Sequence, residues 1–370
     1  MEYLKETYWF KLLILDTFVA QRNNKLLNMK YKLFGKTGLR VSEVCLVTMT
    51  FGTEWGTGAD KETSKQIFDA FANAGGTFID TANRYTEGMS EKYVGEFINS
   101  DRDHFVIASK YSLIDRRNDL NFGGNHRKNM MRSVDASLKR LNTDYLDILY
   151  LHAWDFTTPV EEVLRGMNDL VSSGKILYAA ISDTPAWIVS QANAIADLRG
   201  WTRFNGLQVE HSLIQRTVER DLLPMASSLD IAVTAWAPLA GGALTGKYLI
   251  KNDDKKRLKE TSERLNSRNQ LIAKEVVAVA KELNCSAAQV AIRWILQKPQ
   301  VIIPVIGATK LSQIEDSLGA LNCELTDEQI ARLNEVSKIE LGFPHDFFQQ
   351  QAVKDVLFGG EFDKLTNHRK

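Results

Sequence analysis

From residue 30 onward, apolar positions fall into two alternating rhythms. Short continuous runs predict strands buried on both faces: "EVCLV", "TFID", "HFVIASK", "DYLDILYLH", "KILYAAIS", "FNGLQVE", "DIAVTAWA" and "QVIIPVIG". Between them, apolar residues three and four apart predict amphipathic helices. The helical segments are "KETSKQIFDAFANAGG", "SEKYVGEFI", "RKNMMRSVDASLKRL", "PVEEVLRGMNDLVSSG", "PAWIVSQANAIADL" and "VERDLLPMASSL". Two more follow a charged stretch, expected to be mobile, at 251–269. Ahead of the alternation, "YKLF-GKTG-LRVS" reads as a hairpin around a glycine-containing turn. Eight strand-helix units match a (β/α)8 barrel, the TIM-barrel form of α/β architecture. A doubly wound sheet gives the same alternation. No repeat or linker divides the pattern. The expected organisation is an extension over 1–28, a barrel with an N-terminal hairpin and extra C-terminal helices over 29–338, and a tail over 339–370 that contributes to the pocket.

Composition narrows the class. Lys+Arg and Asp+Glu balance at 46 each, so no global field recruits nucleic acid or an anionic membrane. Three distant cysteines without a CxxC spacing suit a reducing cytoplasm. Six scattered histidines offer no metal-ligand spacing. Near the N-terminus, "YWFKLLILDTFVAQ" is apolar but broken by Lys11 and Asp16 and too short to span a bilayer. Glu2 and Glu6 stand where a signal peptide carries positive charge. An accessory extension is the preferred reading, with a membrane-surface helix as the alternative.

Barrel enzymes place their chemistry where strands end. Those ends carry Asp80, Lys110, His152, Ser182, Gln208 and Trp236 in order, and Tyr85 lies five residues beyond Asp80. Each has a bland reading: a lone strand-end lysine is usually a solvated charge, and a histidine after an apolar run is usually a satisfied core residue. The set is more informative than its members. A tyrosine is a poor acid near neutrality, and a neighbouring ammonium favours its phenolate. A buried lysine needs a carboxylate partner, which Asp80 supplies. His152 can donate a hydrogen bond to a carbonyl. Together they make a proton donor aimed at a carbonyl oxygen.

These motifs resemble the aldo-keto reductase superfamily. "GKTGLRVSE", "FIDTANRY" with "SEKYVGE", "VIASK", "DYLDILYLH", "GKILYAAIS", "QVEHSLIQR", "AWAPLAGGALTGKY" and "IIPVIGATKLSQIEDSLGAL" carry the resemblance, in order, from about Lys30 to Ser337. They look most like bacterial relatives of the potassium-channel β-subunit branch. The resemblance implies a barrel that reduces carbonyls with NADPH, with a tetrad at Asp80, Tyr85, Lys110 and His152. It also implies that Trp236 stacks on the nicotinamide, near Thr48, Met49 and Asp80, while Ser182, Asp183 and Gln208 hold its carboxamide. Residues 238–247, with Pro238, Leu239, Gly241, Gly246 and Lys247 among the contacts, would cover the pyrophosphate, and Ala237 just before them is a further cofactor contact. Gly307, Thr309, Lys310, Gln313 and Asp316 would hold the adenosine 2′-phosphate end. Two positions depart from the pattern. Val47 stands where the family usually has glycine and is expected to crowd the cofactor or bend the rim. Asp183 replaces a common Asn.

The residues agree in part on their own. No GxGxxG is present. "GGALTGKY" fits GxxxxGK, but Tyr248 stands where a P-loop needs Ser or Thr. Its glycines still allow close backbone approach to a phosphate, and "GATKLSQIEDSL" reads as a turn entering a helix, a natural phosphate site. The leading expectation is an NADPH-dependent reductase of aldehydes or ketones, reversible as an alcohol dehydrogenase. A nucleotide-sensing subunit with slow chemistry and a Schiff-base aldolase using Lys110 are the alternatives. The substrate is a small carbonyl compound met by an aromatic mouth of Trp55, residues 115–126, Trp154 and "FPHDFFQQ". Oligomeric state is open.

Overall fold

The computed structural model describes residues 28–250, 258–259 and 261–367. The extension predicted over 1–28 falls almost wholly outside them, as do 251–257 of the charged stretch. Strands β1 (Tyr31–Leu33) and β2 (Arg40–Ser42) form the expected antiparallel hairpin. Eight parallel strands then close into a barrel: β3 (Cys45–Val47), β4 (Phe78–Asp80), β5 (Val106–Tyr111), β6 (Leu146–Leu151), β7 (Ile176–Ser182), β8 (Phe204–Glu210), β9 (Ala232–Trp236) and β10 (Ile302–Ile306). β10 pairs with β3 and completes the ring. The fold is a (β/α)8 barrel.

Helices α1 (Lys61–Asn73), α2 (Met89–Ile98), α3 (Arg127–Leu141), α4 (Val160–Ser172), α5 (Ala186–Arg199) and α6 (Leu222–Ser228) connect successive strands. α7 (Ser267–Glu282) and α8 (Ala287–Leu296) lead into β10, followed by α9 (Leu311–Leu318) and α10 (Asp327–Val336). α11 (His345–Gln349) and α12 (Gln351–Phe358) lie in the tail. Two expectations need correction. The helix predicted from Val218 begins only at Leu222, after a 3-10 turn at Thr217–Glu219. Pro224 is the cause: a proline is tolerated in the first turn but clashes with the carbonyl four residues back in a helix interior. The charged stretch predicted to be mobile is ordered from Ser262 on, where Ser262 caps a 3-10 turn and Asn266 caps α7.

Two cores divide the apolar residues. One lies inside the barrel and includes Phe34, Cys45, Phe78, Ala108, Ile148, Tyr150, Ala180, Ala232, Ile303 and Val305. The other packs the outer faces of the strands against the helices. The hairpin closes the barrel floor: Phe34 is fully buried and meets the Phe78 ring edge-on at 6.0 Å. A side chain at Gly206 would come within 2.2 Å of the Phe34 ring, so that strand position must be bare.

Candidate active site

Successive strand residues point to opposite faces, and this parity aims the site. Phe78, Ala108, Ile148 and Ala180 all belong to the interior core. Asp80, Lys110, Ser182 and, beyond Tyr150, His152 follow the same parity two residues on, so their side chains gather at the top of the barrel interior. Neither Asp80 nor Lys110 is exposed to solvent.

The ammonium of Lys110 is the hub. It donates to Asp80 Oδ2 at 2.5 Å, to the Thr81 carbonyl at 3.0 Å and to Tyr85 Oη at 2.9 Å. That uses all three of its protons. Burial works against the charge, but Asp80 and Tyr85 outweigh it and raise the lysine's pKa. Burial raises the Asp80 carboxyl too, opposed by Lys110 and by the Gln208 amide at 3.3 Å. The contact at 2.5 Å, with the lysine held protonated, makes this an ion pair at neutral pH. Tyr85 differs from expectation. Lys110 does pull its phenol down, but burial is larger, and the net result is a pKa pushed up to about 12. His152 meets Tyr85 edge-on at 5.9 Å. Burial and the Lys110 charge hold the imidazole well below its usual pKa, so it is neutral at pH 7. Its Nδ1 is buried without a protein partner.

The sequence profile of the aldo/keto reductase family matches residues 43–338. The chain belongs to this family. Similar proteins include norsolorinic acid reductase of Aspergillus flavus, 36% identical over 325 residues, 85% of this chain and 82% of that one. Another is the aryl-alcohol dehydrogenase (NADP(+)) of Phanerodontia chrysosporium, 36% identical over 354 residues, 88% of this chain and 91% of that one. A third is the aldo-keto reductase ausK of Emericella nidulans, 37% identical, with 86% and 84% covered. All three come from fungi, whereas the motifs looked most like bacterial proteins.

In this aldo/keto reductase the other predicted positions form three groups around the rim. Ser182 and Gln208 are almost fully buried and face each other in register across β7 and β8, and the Gln208 amide reaches Asp80. Trp236 donates its indole N–H to Asp183 Oδ1 at 3.1 Å, and Asp183 holds a left-handed backbone with φ 40°. Thr48 lies behind Asp80, its amide and hydroxyl both donating to the Asp80 carbonyl at 2.9 and 3.1 Å, next to half-buried Met49. Residues Ala237 to Lys247 form a tight loop in which Ala237, Ala240, Gly241, Gly242 and Gly246 all have positive φ. Pro238 and Leu239 lead into its 3-10 turn at Ala240–Thr245. Lys247 folds back so that a side chain at Gly242 would meet its Nζ at 2.8 Å.

Beyond β10, exposed Gly307 opens the third group. Thr309 donates to Gln313 Oε1 at 2.9 Å through its amide, and exposed Lys310 stands at the start of α9. Asp316 is tied to Gln289 on α8 at 3.0 Å. Val47 takes the space that a side chain at Gly307 would need, 2.8 Å from Val47 Cγ1. The extra bulk is thus matched by a glycine just past the end of the neighbouring strand β10. A bare-backbone loop and two lysines at the rim fit an anionic, phosphate-bearing cofactor.

Three contacts of these residues were not expected from the sequence: Lys110 to the Thr81 carbonyl, Thr48 to the Asp80 carbonyl, and Gln208 to the Asp80 carboxylate. Apart from the adjacency of Thr81 to Asp80, nothing in the local sequence marks them. Among the described residues there is no group of three or more potential metal ligands, and no helix is long and apolar enough to cross a membrane.

Proposed function

We propose that this aldo/keto reductase reduces aldehyde or ketone carbonyls to alcohols with NADPH, and that Tyr85 gives the proton to the carbonyl oxygen. The observation that carries this reading is the buried ammonium of Lys110, 2.9 Å from the phenol and 2.5 Å from Asp80. When bound, NADPH supplies the hydride. Tyr85 loses its proton to the substrate oxygen, and the phenolate left behind is stabilised by Lys110. Asp80 keeps that lysine charged. Neutral His152 orients the carbonyl through a hydrogen bond. A lysine held protonated by its neighbours is a poor nucleophile, which speaks against Schiff-base chemistry.

For the cofactor, Trp236, Ser182, Asp183 and Gln208 would meet the nicotinamide end. The Ala237–Lys247 loop would meet the pyrophosphate, and Thr309, Lys310, Gln313 and Asp316 the adenosine end. The name of the Phanerodontia chrysosporium relative supports NADP and an aromatic alcohol or aldehyde as substrate. Around the mouth, Trp55 and Phe156 are exposed at 39% and 69%, which suits an aromatic ligand. We place the tail over 339–370 at this pocket and the protein in the cytoplasm, where its three free cysteines stay reduced.

The test is Tyr85→Phe. It should leave the fold and NADPH binding intact and lower the reductive rate by roughly 10²–10⁴, the scale of a general acid. Turnover within a few-fold of the parent would overturn the assignment.

A further inference from the structure

Immediately after Tyr85 the chain passes through three left-handed residues: Thr86 (φ 45°, ψ 47°), Glu87 (φ 55°) and Gly88 (φ 85°). Glycine takes this conformation freely. A β-branched residue there is a genuine outlier, and such a backbone persists only where its surroundings fix it. Thr86 is fixed on every side. It has no solvent exposure. Its hydroxyl donates to the Phe51 carbonyl at 2.6 Å and accepts from the Ser90 amide, in the first turn of α2, at 3.0 Å. Gly52 lies so close that a side chain there would come within 2.9 Å of Thr86 Cβ.

The network continues under the site. Ser90 Oγ donates to the Thr48 carbonyl at 2.7 Å, accepts from the Thr81 hydroxyl at 2.9 Å and lies 2.7 Å from the Thr48 hydroxyl. Thr48 holds the Asp80 carbonyl, and the Thr81 carbonyl accepts from Lys110. One buried cluster therefore fixes the turn after Tyr85 to the same backbone that carries Asp80 and receives Lys110. Glu87, the next residue, faces the rim instead and pairs with Arg84 and the Trp55 indole.

We infer that Thr86 is a positioning residue for the proton donor: its hydroxyl holds the left-handed turn that directs the Tyr85 phenol onto the Lys110 ammonium. This rests on Tyr85 being the donor.

Three variants and a double-mutant background test it. Thr86→Val keeps the shape and removes both hydrogen bonds. Thr86→Gly removes the hydroxyl where the backbone is unstrained, so the test survives if the valine variant fails to fold. Both should lower kcat about 10-fold or more, as a misplaced reacting group does. KM for a benzaldehyde probe and Kd for NADPH, read by tryptophan fluorescence, should stay within about 3-fold. Thr86→Ser, which keeps the hydroxyl, should recover most of kcat. In a Tyr85→Phe background, Thr86→Val and Thr86→Gly should cost nothing further, since residues acting as a unit are non-additive. Unchanged kcat in both Thr86 variants, or an equal loss with and without the tyrosine hydroxyl, would overturn the inference while leaving Tyr85 as donor. A fully active Tyr85→Phe enzyme would instead remove the donor and this inference together.

Discussion

A lysine with no exposed surface pays a large desolvation cost, recovered only through close partners. Lys110 has a carboxylate, a carbonyl and a phenol within 3.0 Å. Removing the carboxylate should therefore change the whole group. In Asp80→Asn the ammonium loses its charge partner, so burial depresses the lysine's pKa. A neutral lysine no longer steadies the phenolate, and Tyr85 becomes a still weaker acid. The expected result is a fall in kcat of about 10²-fold or more, with NADPH affinity held within a few-fold. Adding Lys110→Met should do little further harm. Losses that multiply in steady-state kinetics of the single and double variants would show that the two side chains act independently. At this scale the residue types at strand ends were legible in the sequence. The phenol's upward shift was not, because desolvation depends on neighbours that only folding assembles.

At the scale of elements, the site depends on how closely α2 sits against α3. Gly95 lies at the contact: a side chain there would come within 2.4 Å of the Leu141 carbonyl oxygen, a backbone atom that cannot swing aside. One turn earlier on α2, buried Glu91 accepts from Ser109 at 2.5 Å and pairs with Arg140 at 2.6 Å. Gly95→Ala should force the helices apart. A loss of about 1–3 kcal/mol, the usual range for overpacking, should appear as a lower denaturant midpoint. Because α2 begins at the turn after Tyr85 and carries Ser90, kcat should fall as well. A variant with the parent's midpoint and rate would show that the contact is soft. The sequence displayed α2 and α3 as amphipathic segments, but their separation is a tertiary quantity.

At the scale of the whole molecule, a half-buried charge cluster ties the end of the barrel chain to the rim. Glu219 accepts from Arg216 at 2.8 and 3.0 Å, from Lys298 at 3.1 Å and contacts His211 Nε2 at 3.1 Å. Arg216 also reaches the Asn334 carbonyl and Ser337 Oγ at the end of α10. Burial alone would raise the Glu219 carboxyl, but hydrogen bonds from His211 and Arg216 and the charge of Lys298 hold it well below its ordinary 4.5. A folded-state pKa below the unfolded one stabilises the protein above that unfolded value, and the contribution is lost as pH falls. Glu219→Gln should therefore cost about 2 kcal/mol at pH 7, by leaving half-buried cations without their carboxylate, less than a fully buried pair because solvent screens the cluster. The gap in Tm between variant and parent should narrow below about pH 4.5. Thermal melts across that range check it, and a constant gap would contradict the sign.

The sequence by itself determined most strands and helices, the count of eight units, the hairpin and the placing of Asp80, Lys110 and His152 at strand ends. These follow from local periodicity, which the chain carries without any long-range contact. Only the tertiary structure decided that Gln208 meets Asp80 across the barrel, that Val47 is accommodated by Gly307, and that the Thr86 hydroxyl reaches the Phe51 carbonyl beneath the turn after Tyr85. It alone assembled His211, Arg216, Glu219 and Lys298 into one cluster. Each of these depends on residues brought together by barrel closure and on the water excluded when it closes, and neither leaves a periodic trace in the chain.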